Sequence, residues 1–90
     1  MISYLDDDFI KYFSKLPLRI KKKARKNYKL WKQDHSHPSL DFKQAHPSDP
    51  IYSVRVGIGW RALGLKHSSN LIIWFWIGSH ESYNKLLTKF

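Results

Sequence analysis

Ninety residues with sixteen Lys and Arg against seven Asp and Glu give a formal charge of +9, alongside 42% hydrophobic and 16% aromatic side chains and no cysteine. That balance describes one small folded domain with a strong positive field. It excludes a disordered chain, a disulfide framework and thiolate chemistry, and a core this small favours a shallow surface site over an enclosed pocket.

The opening "MISYLDDDF" has neither the basic nor the apolar region of a leader, and no stretch of ~18 uncharged apolar residues follows. A soluble, cytoplasmic protein without a membrane partner is the expectation. Asp6, Asp7 and Asp8 supply cap and first-turn carboxylates, and Phe9, Tyr12, Phe13 and Leu16 follow at helical spacing. Pro17 suits the first position of a second helix, in which Ile20, Ala24, Tyr28 and Trp31 share one arc. Lys22, Arg25, Lys26 and Lys29 take the opposite side of a segment, 19–32, that has eight basic and no acidic residues. Its field suits nucleic acid or an acidic protein; the plain alternative is a solvated helix face. The polar "DHSHPS" ends the helical hairpin.

From residue 40 the period changes to two. "LDFK" (40–43) is a short strand, "IYSVRVG" (51–57) alternates, "WRALGLK" (60–66) follows, and "LIIWFWIG" (71–78) is apolar on both faces, as a central strand requires. The connections "GIG" and "HSSN" predict an antiparallel meander, and residues 80–88 a closing helix. One α+β domain results: a helical hairpin on a curved antiparallel sheet of three to four strands, with a short C-terminal helix.

Alternation sends Arg55 to the sheet face away from the hairpin, with Arg61 beside it, Lys43 at the end of another strand, and His80 and Tyr83 after the central strand. Such a set suits a phosphodiester, because arginine forks bind non-bridging oxygens and His or Tyr moves protons. Bland alternatives stand beside it: Arg61 as a salt-bridge partner, Tyr83 as a packing ring, and Trp60, Trp74 and Trp76 as core residues instead of base-stacking platforms. His35, His37 and His46 fit a polar loop better than a metal site, there being no cysteine and no fourth ligand.

The succession of "LDFK", "IYSVRVGIGWRALGL" and "IIWFWIGSHESYNKLL" resembles the RelE/ParE superfamily of bacterial type II toxins, including its HigB-like members. The resemblance implies a RelE-like fold, a cognate antitoxin as partner, and a ribosome-dependent mRNA endoribonuclease. Such an enzyme works by attack of the 2′-hydroxyl on the adjacent phosphate, with no metal and no small-molecule cofactor. It matches Arg61 to a phosphate-binding arginine, Arg55 and Lys43 to basic positions of the preceding strands, and "SHESY" to a place where members carry a basic residue, His or Tyr. His80 is then the proton-transfer group, Tyr83 its alternate or a base-stacking group, Lys85 a further RNA contact, and Lys22, Arg25, Lys26 and Lys29 the docking face for ribosomal RNA. Ser53 departs from members that carry two alternating basic residues on the second strand. The superfamily also includes ParE members that poison DNA gyrase, and a non-catalytic nucleic-acid-binding module is the third reading.

Overall fold

A computed structural model, which describes residues 1–89, places β1 at Ile2–Leu5, α1 at Asp7–Ser14, α2 at Leu18–Gln33 and a 3-10 turn at Pro38–Leu40. β2 (Lys43–Gln44), β3 (Ile51–Gly57), β4 (Trp60–Ser68), β5 (Leu71–Ser79) and α3 (His80–Leu87) complete the chain. The Asp6 side chain caps α1 by accepting the Phe9 N–H at 2.8 Å, and Asp7 and Asp8 complement the positive end of the helix. Pro17 falls one position earlier than expected, as the cap of α2, where its carbonyl accepts the Ile20 and Lys21 N–H groups. The expected arc of α2 is the buried one: Ile20, Ala24 and Trp31 are inside and Tyr28 is half-buried.

The sheet order is β1-β5-β4-β3-β2, with β3, β4 and β5 forming the expected antiparallel meander. Two features differ from the sequence expectation. Among the described residues the sheet has five strands and is mixed, because Ile2–Leu5 pairs in parallel with Leu71–Trp74. Four residues are too few to carry a clear local strand signal, and the parallel partner lies across a long connection, here everything from α1 to β4. The other difference is at "LDFK": Pro38 opens a 3-10 turn capped by His37, Leu40 is fully buried, and Asp41 takes the left-handed conformation at φ 44°. Only Lys43 and Gln44 then remain to pair with β3.

A bulge aims the tryptophans. Leu63 pairs with Trp76 and Gly64 with Trp74, so Phe75 is an extra residue on β5. Trp74 and Ile77 therefore both face the helices, while Trp76 joins Leu63 and Tyr83 on the other side. The Trp74 ring meets Trp31 edge-on at 5.4 Å, at the centre of a core that includes Ile20, Leu40 and Ile72. Gly64 permits this closeness, since a Cβ there would stand 2.7 Å from Ile72 Cδ1 and 2.8 Å from Trp74 Cε3. α1 packs on β5 and α2 on β3, and an apolar cavity of about 190 Å³ lies between them, lined by Phe9, Phe13, Tyr28 and Val54 among others. Among the described residues no helix is long and apolar enough to cross a membrane.

Candidate functional site

On the sheet face away from α1 and α2, Arg55 of β3 and Arg61 of β4 are direct cross-strand partners. Two like charges opposite one another repel, so the pair needs an anion. Asp41 supplies it. Its Oδ2 lies 3.2 Å from Arg61 Nη1, 3.4 Å from Lys43 Nζ and 4.0 Å from Arg55 Nη2. Arg61 also donates through Nη2 to the Asp41 carbonyl at 2.9 Å, which clamps the left-handed turn. Desolvation alone raises the Asp41 carboxyl, but the charges of Lys43 and Arg61 and the hydrogen bonds from both outweigh it and hold the group below its ordinary value of 3.8.

Arg61 is the interior member of this cluster, only 5% exposed. Its Nη2 donates to Ser53 Oγ at 3.0 Å, and the same oxygen accepts the Tyr83 hydroxyl at 3.3 Å. Its guanidinium carbon stands 5.5 Å from the centre of the Tyr83 ring, and that ring stacks on His80 at 5.5 Å. Local chemistry sets this arrangement. Ser79 Oγ caps α3 by accepting the Ser82 N–H, and the His80 N–H donates to the Gly59 carbonyl at 2.7 Å, which fastens the helix start to the β3–β4 turn. Gly59 makes that turn with φ 81°, a conformation an L residue resists. Buried Tyr83 thus lies under exposed His80, with Trp76 and Leu63 beneath it.

Arg55, Arg61, Lys43, Tyr83 and His80 do meet on one face, as the alternation predicted, but in two layers. Lys43 and Arg55 are exposed to 57% and 50% at the surface, and Arg61 and Tyr83 are committed to bonds below it. Lys85 points elsewhere, pairing with Glu81 at 3.3 Å one turn back on α3. Lys22, Lys26 and Lys29 are exposed along α2, and Arg25 lies 5.1 Å over the Phe13 ring; among the described residues no carboxylate pairs with any of the four. Trp74 and Trp76 are buried at 2% and 8%, so neither is a stacking platform, while Trp60 is half-buried.

His35, His37 and His46 serve turns and packing. His37 Nδ1 accepts the Ser39 N–H, His46 Nδ1 accepts those of Ser48 and Asp49, and the His35 ring meets Trp31 and Phe42. Among the described residues no three His, Cys, Asp or Glu side chains gather as a metal site.

Sequence reading missed Asp41 and Ser53 as members of the cluster. The signal for Asp41 was its spacing: it is the one acid between residues 35 and 48, two positions from Lys43. Ser53, fully buried, was legible only as a departure from an alternating basic pattern. Its small hydroxyl lets Arg61 and Tyr83 converge where a long basic side chain has no room.

Comparison of folds finds close architecture in solved toxins. The RelB–RelE antitoxin–toxin complex from Methanococcus jannaschii matches with a TM-score of 0.72 at 19% identity, covering 92% of this chain and 96% of that one. The isolated RelE toxin of E. coli matches at 0.64 and 14% identity over 98% and 96% of the two chains. A YoeB/ParE toxin from Agrobacterium tumefaciens matches at 0.66 and 10% identity over 89% and 99%. These likenesses bear on the fold, and the search of curated proteins finds no match. The family model described as the ParE-like toxin domain matches residues 18–85, and on that span the chain belongs to the ParE-like toxin domain family, within the RelE/ParE superfamily.

Proposed function

We propose that the protein is the toxin of a toxin–antitoxin pair and cuts mRNA on the ribosome, as a metal-independent endoribonuclease of the cytoplasm. The observation that carries this reading is the convergence of Lys43, Arg55 and Arg61 with the His80–Tyr83 stack on one open face. Lys43 and Arg55 reach solvent and take the non-bridging oxygens of the scissile phosphate; Arg61 supplies positive charge from below as the pentacoordinate transition state gains negative charge. His80, exposed and oriented by the Tyr83 ring, accepts the 2′-hydroxyl proton. The 2′-oxygen bonds to phosphorus as the P–O5′ bond breaks. This leaves a 2′,3′-cyclic phosphate, and the departing 5′-oxygen takes a proton from solvent. The exposed cations Lys22, Lys26 and Lys29, with Arg25, dock α2 on ribosomal RNA, and Lys85 stands as an outlying RNA contact. Similar toxins from Methanococcus jannaschii and Pyrococcus horikoshii were solved bound to RelB, which supports a cognate antitoxin as this protein's partner.

One observation favours a second reading, poisoning of DNA gyrase. Arg61 and Tyr83 are buried and already bonded, as a purely structural cluster is. The test is 5′-end mapping of a reporter mRNA in a reconstituted translation reaction, with ribosomes present or omitted, comparing wild type with Arg55→Ala. The expected result is cuts that need both ribosomes and Arg55. Intact mRNA with wild-type protein overturns the nuclease reading; inhibited supercoiling by gyrase then favours the second, and unaffected supercoiling a binding module.

A further inference from the structure

Three cations converge on one oxygen, and that oxygen belongs to the protein itself. Arg61, Lys43 and Arg55 surround Asp41 Oδ2 at 3.2, 3.4 and 4.0 Å. This is the arrangement that Arg and Lys build around a phosphate oxygen. The contacts differ in kind. Arg61 is buried and holds the Asp41 backbone as well as its carboxylate, whereas Lys43 and Arg55 approach from solvent on long flexible side chains. Asp41 is itself 37% exposed, and it keeps this position with φ 44° and ψ 47°, a conformation L residues seldom take. A free phosphate reaching Lys43 and Arg55 meets a negative charge already between them.

We propose that the Asp41 carboxylate is the internal occupant of a phosphate-binding site: it keeps Lys43 and Arg55 gathered when no ligand is bound and competes with the incoming phosphate for them. The proposal rests on the reading of this face as RNA-binding for its physiological ligand, the phosphate of a single-stranded RNA. Asp41 is a residue that tunes affinity, and by weakening every phosphate contact it favours substrates that bring additional contacts, such as RNA presented by a large partner.

Asp41→Asn isolates the charge, because Asn tolerates the left-handed conformation and the backbone carbonyl clamped by Arg61 remains. Dissociation constants are measured for inorganic phosphate and for a short fluorescein-labelled single-stranded RNA over a series of salt concentrations. The expected result is tighter binding of both probes by roughly 3–10-fold, with the salt slope for RNA steeper by about 0.7, one more phosphate neutralised. Replacing Lys43 and Arg55 by Gln in the Asp41→Asn background removes that gain. A folded Asp41→Asn protein that binds both probes no more tightly than wild type overturns the proposal. If Asp41→Asn does not fold, Asp41→Gly, which favours the same backbone, takes its place; failure of both to fold also overturns it, since a carboxylate the fold cannot spare cannot be displaced. Tighter phosphate with RNA bound by neither protein keeps the occupied phosphate site and removes the RNA reading instead.

Discussion

The two faces of the sheet are built from the same strands and held by different physics. Facing α1 and α2, Trp31, Trp74, Ile20 and Ile72 make a wide aromatic and aliphatic core, where stability comes from area and close packing. On the other face a small apolar cluster of Ile51, Leu63, Trp76 and Tyr83 supports a polar network of Ser53, Arg61 and Asp41. β4 serves both at alternate positions, with Ala62 toward the helices and Arg61 and Leu63 away. The difference teaches which residues carry the fold and which can be changed to probe function: the first face fails by losing volume, the second by losing a charge partner.

The largest expected effect tests the packed face. Trp74→Ala should cost about 3–5 kcal/mol in urea unfolding, whereas Tyr83→Phe, which removes one hydrogen bond to Ser53, should cost about 0.5–1.5 kcal/mol. Equal losses would mean the two faces are not distinct. Next comes Arg61→Ala, at about 2–4 kcal/mol, because it leaves Asp41 and Ser53 without their buried partner; circular dichroism melts should show the loss. Loss of mRNA cleavage in that variant would therefore speak to folding as much as to chemistry, and Arg55 is the cleaner probe. Gly64→Ala should follow at about 1–3 kcal/mol, since the added methyl meets Ile72 and Trp74, and an unchanged melting temperature would show that the bulge yields.

Acid gives a smaller and differently shaped effect. The Asp41 carboxyl is depressed in the folded protein, so its stabilisation is fully present above 3.8, its ordinary value, and is lost as pH falls through the lower folded value. Its exposure keeps the effect modest. Asp41→Asn should abolish that part of the acid dependence in urea titrations between neutral pH and about pH 3. Smallest for stability is Arg55→Gln, within about 0.5 kcal/mol. The same change should lower RNA affinity and cleavage in the translation reaction, and a folded, fully active variant would remove Arg55 from the site.

What could be read from the sequence follows the range of the interaction responsible. α2 declares itself through Ile20, Ala24, Tyr28 and Trp31 at one angular position, and the meander through alternation and glycine turns, both local signals. β1 does not, because Ile2–Leu5 becomes a strand only through Leu71–Trp74. The placement of Arg55 opposite Arg61 was legible from period and loop length, and their compensation was not: the left-handed turn at Asp41 depends on the His37 cap and the Arg61 clamp together. Trp76 illustrates the remaining gap, since regular alternation would put it on the same face as Trp74 and the extra residue at Phe75 sends it to the opposite one.

The pairing of β1 with β5 also fixes an order in time. During synthesis β1 is made well before β5, its sheet partner, so α1 and β1, with Ile2, Tyr4 and Ile10 exposed even in the finished fold, wait for β5 to appear. Non-local closure of this kind is slow and late. α3, which carries His80 and Tyr83, follows β5 directly. Until β5 and α3 have emerged, the chain thus has neither a closed sheet nor an assembled polar face. For a protein proposed to attack translating ribosomes, topology alone withholds the weapon until β5 and α3 have both been made.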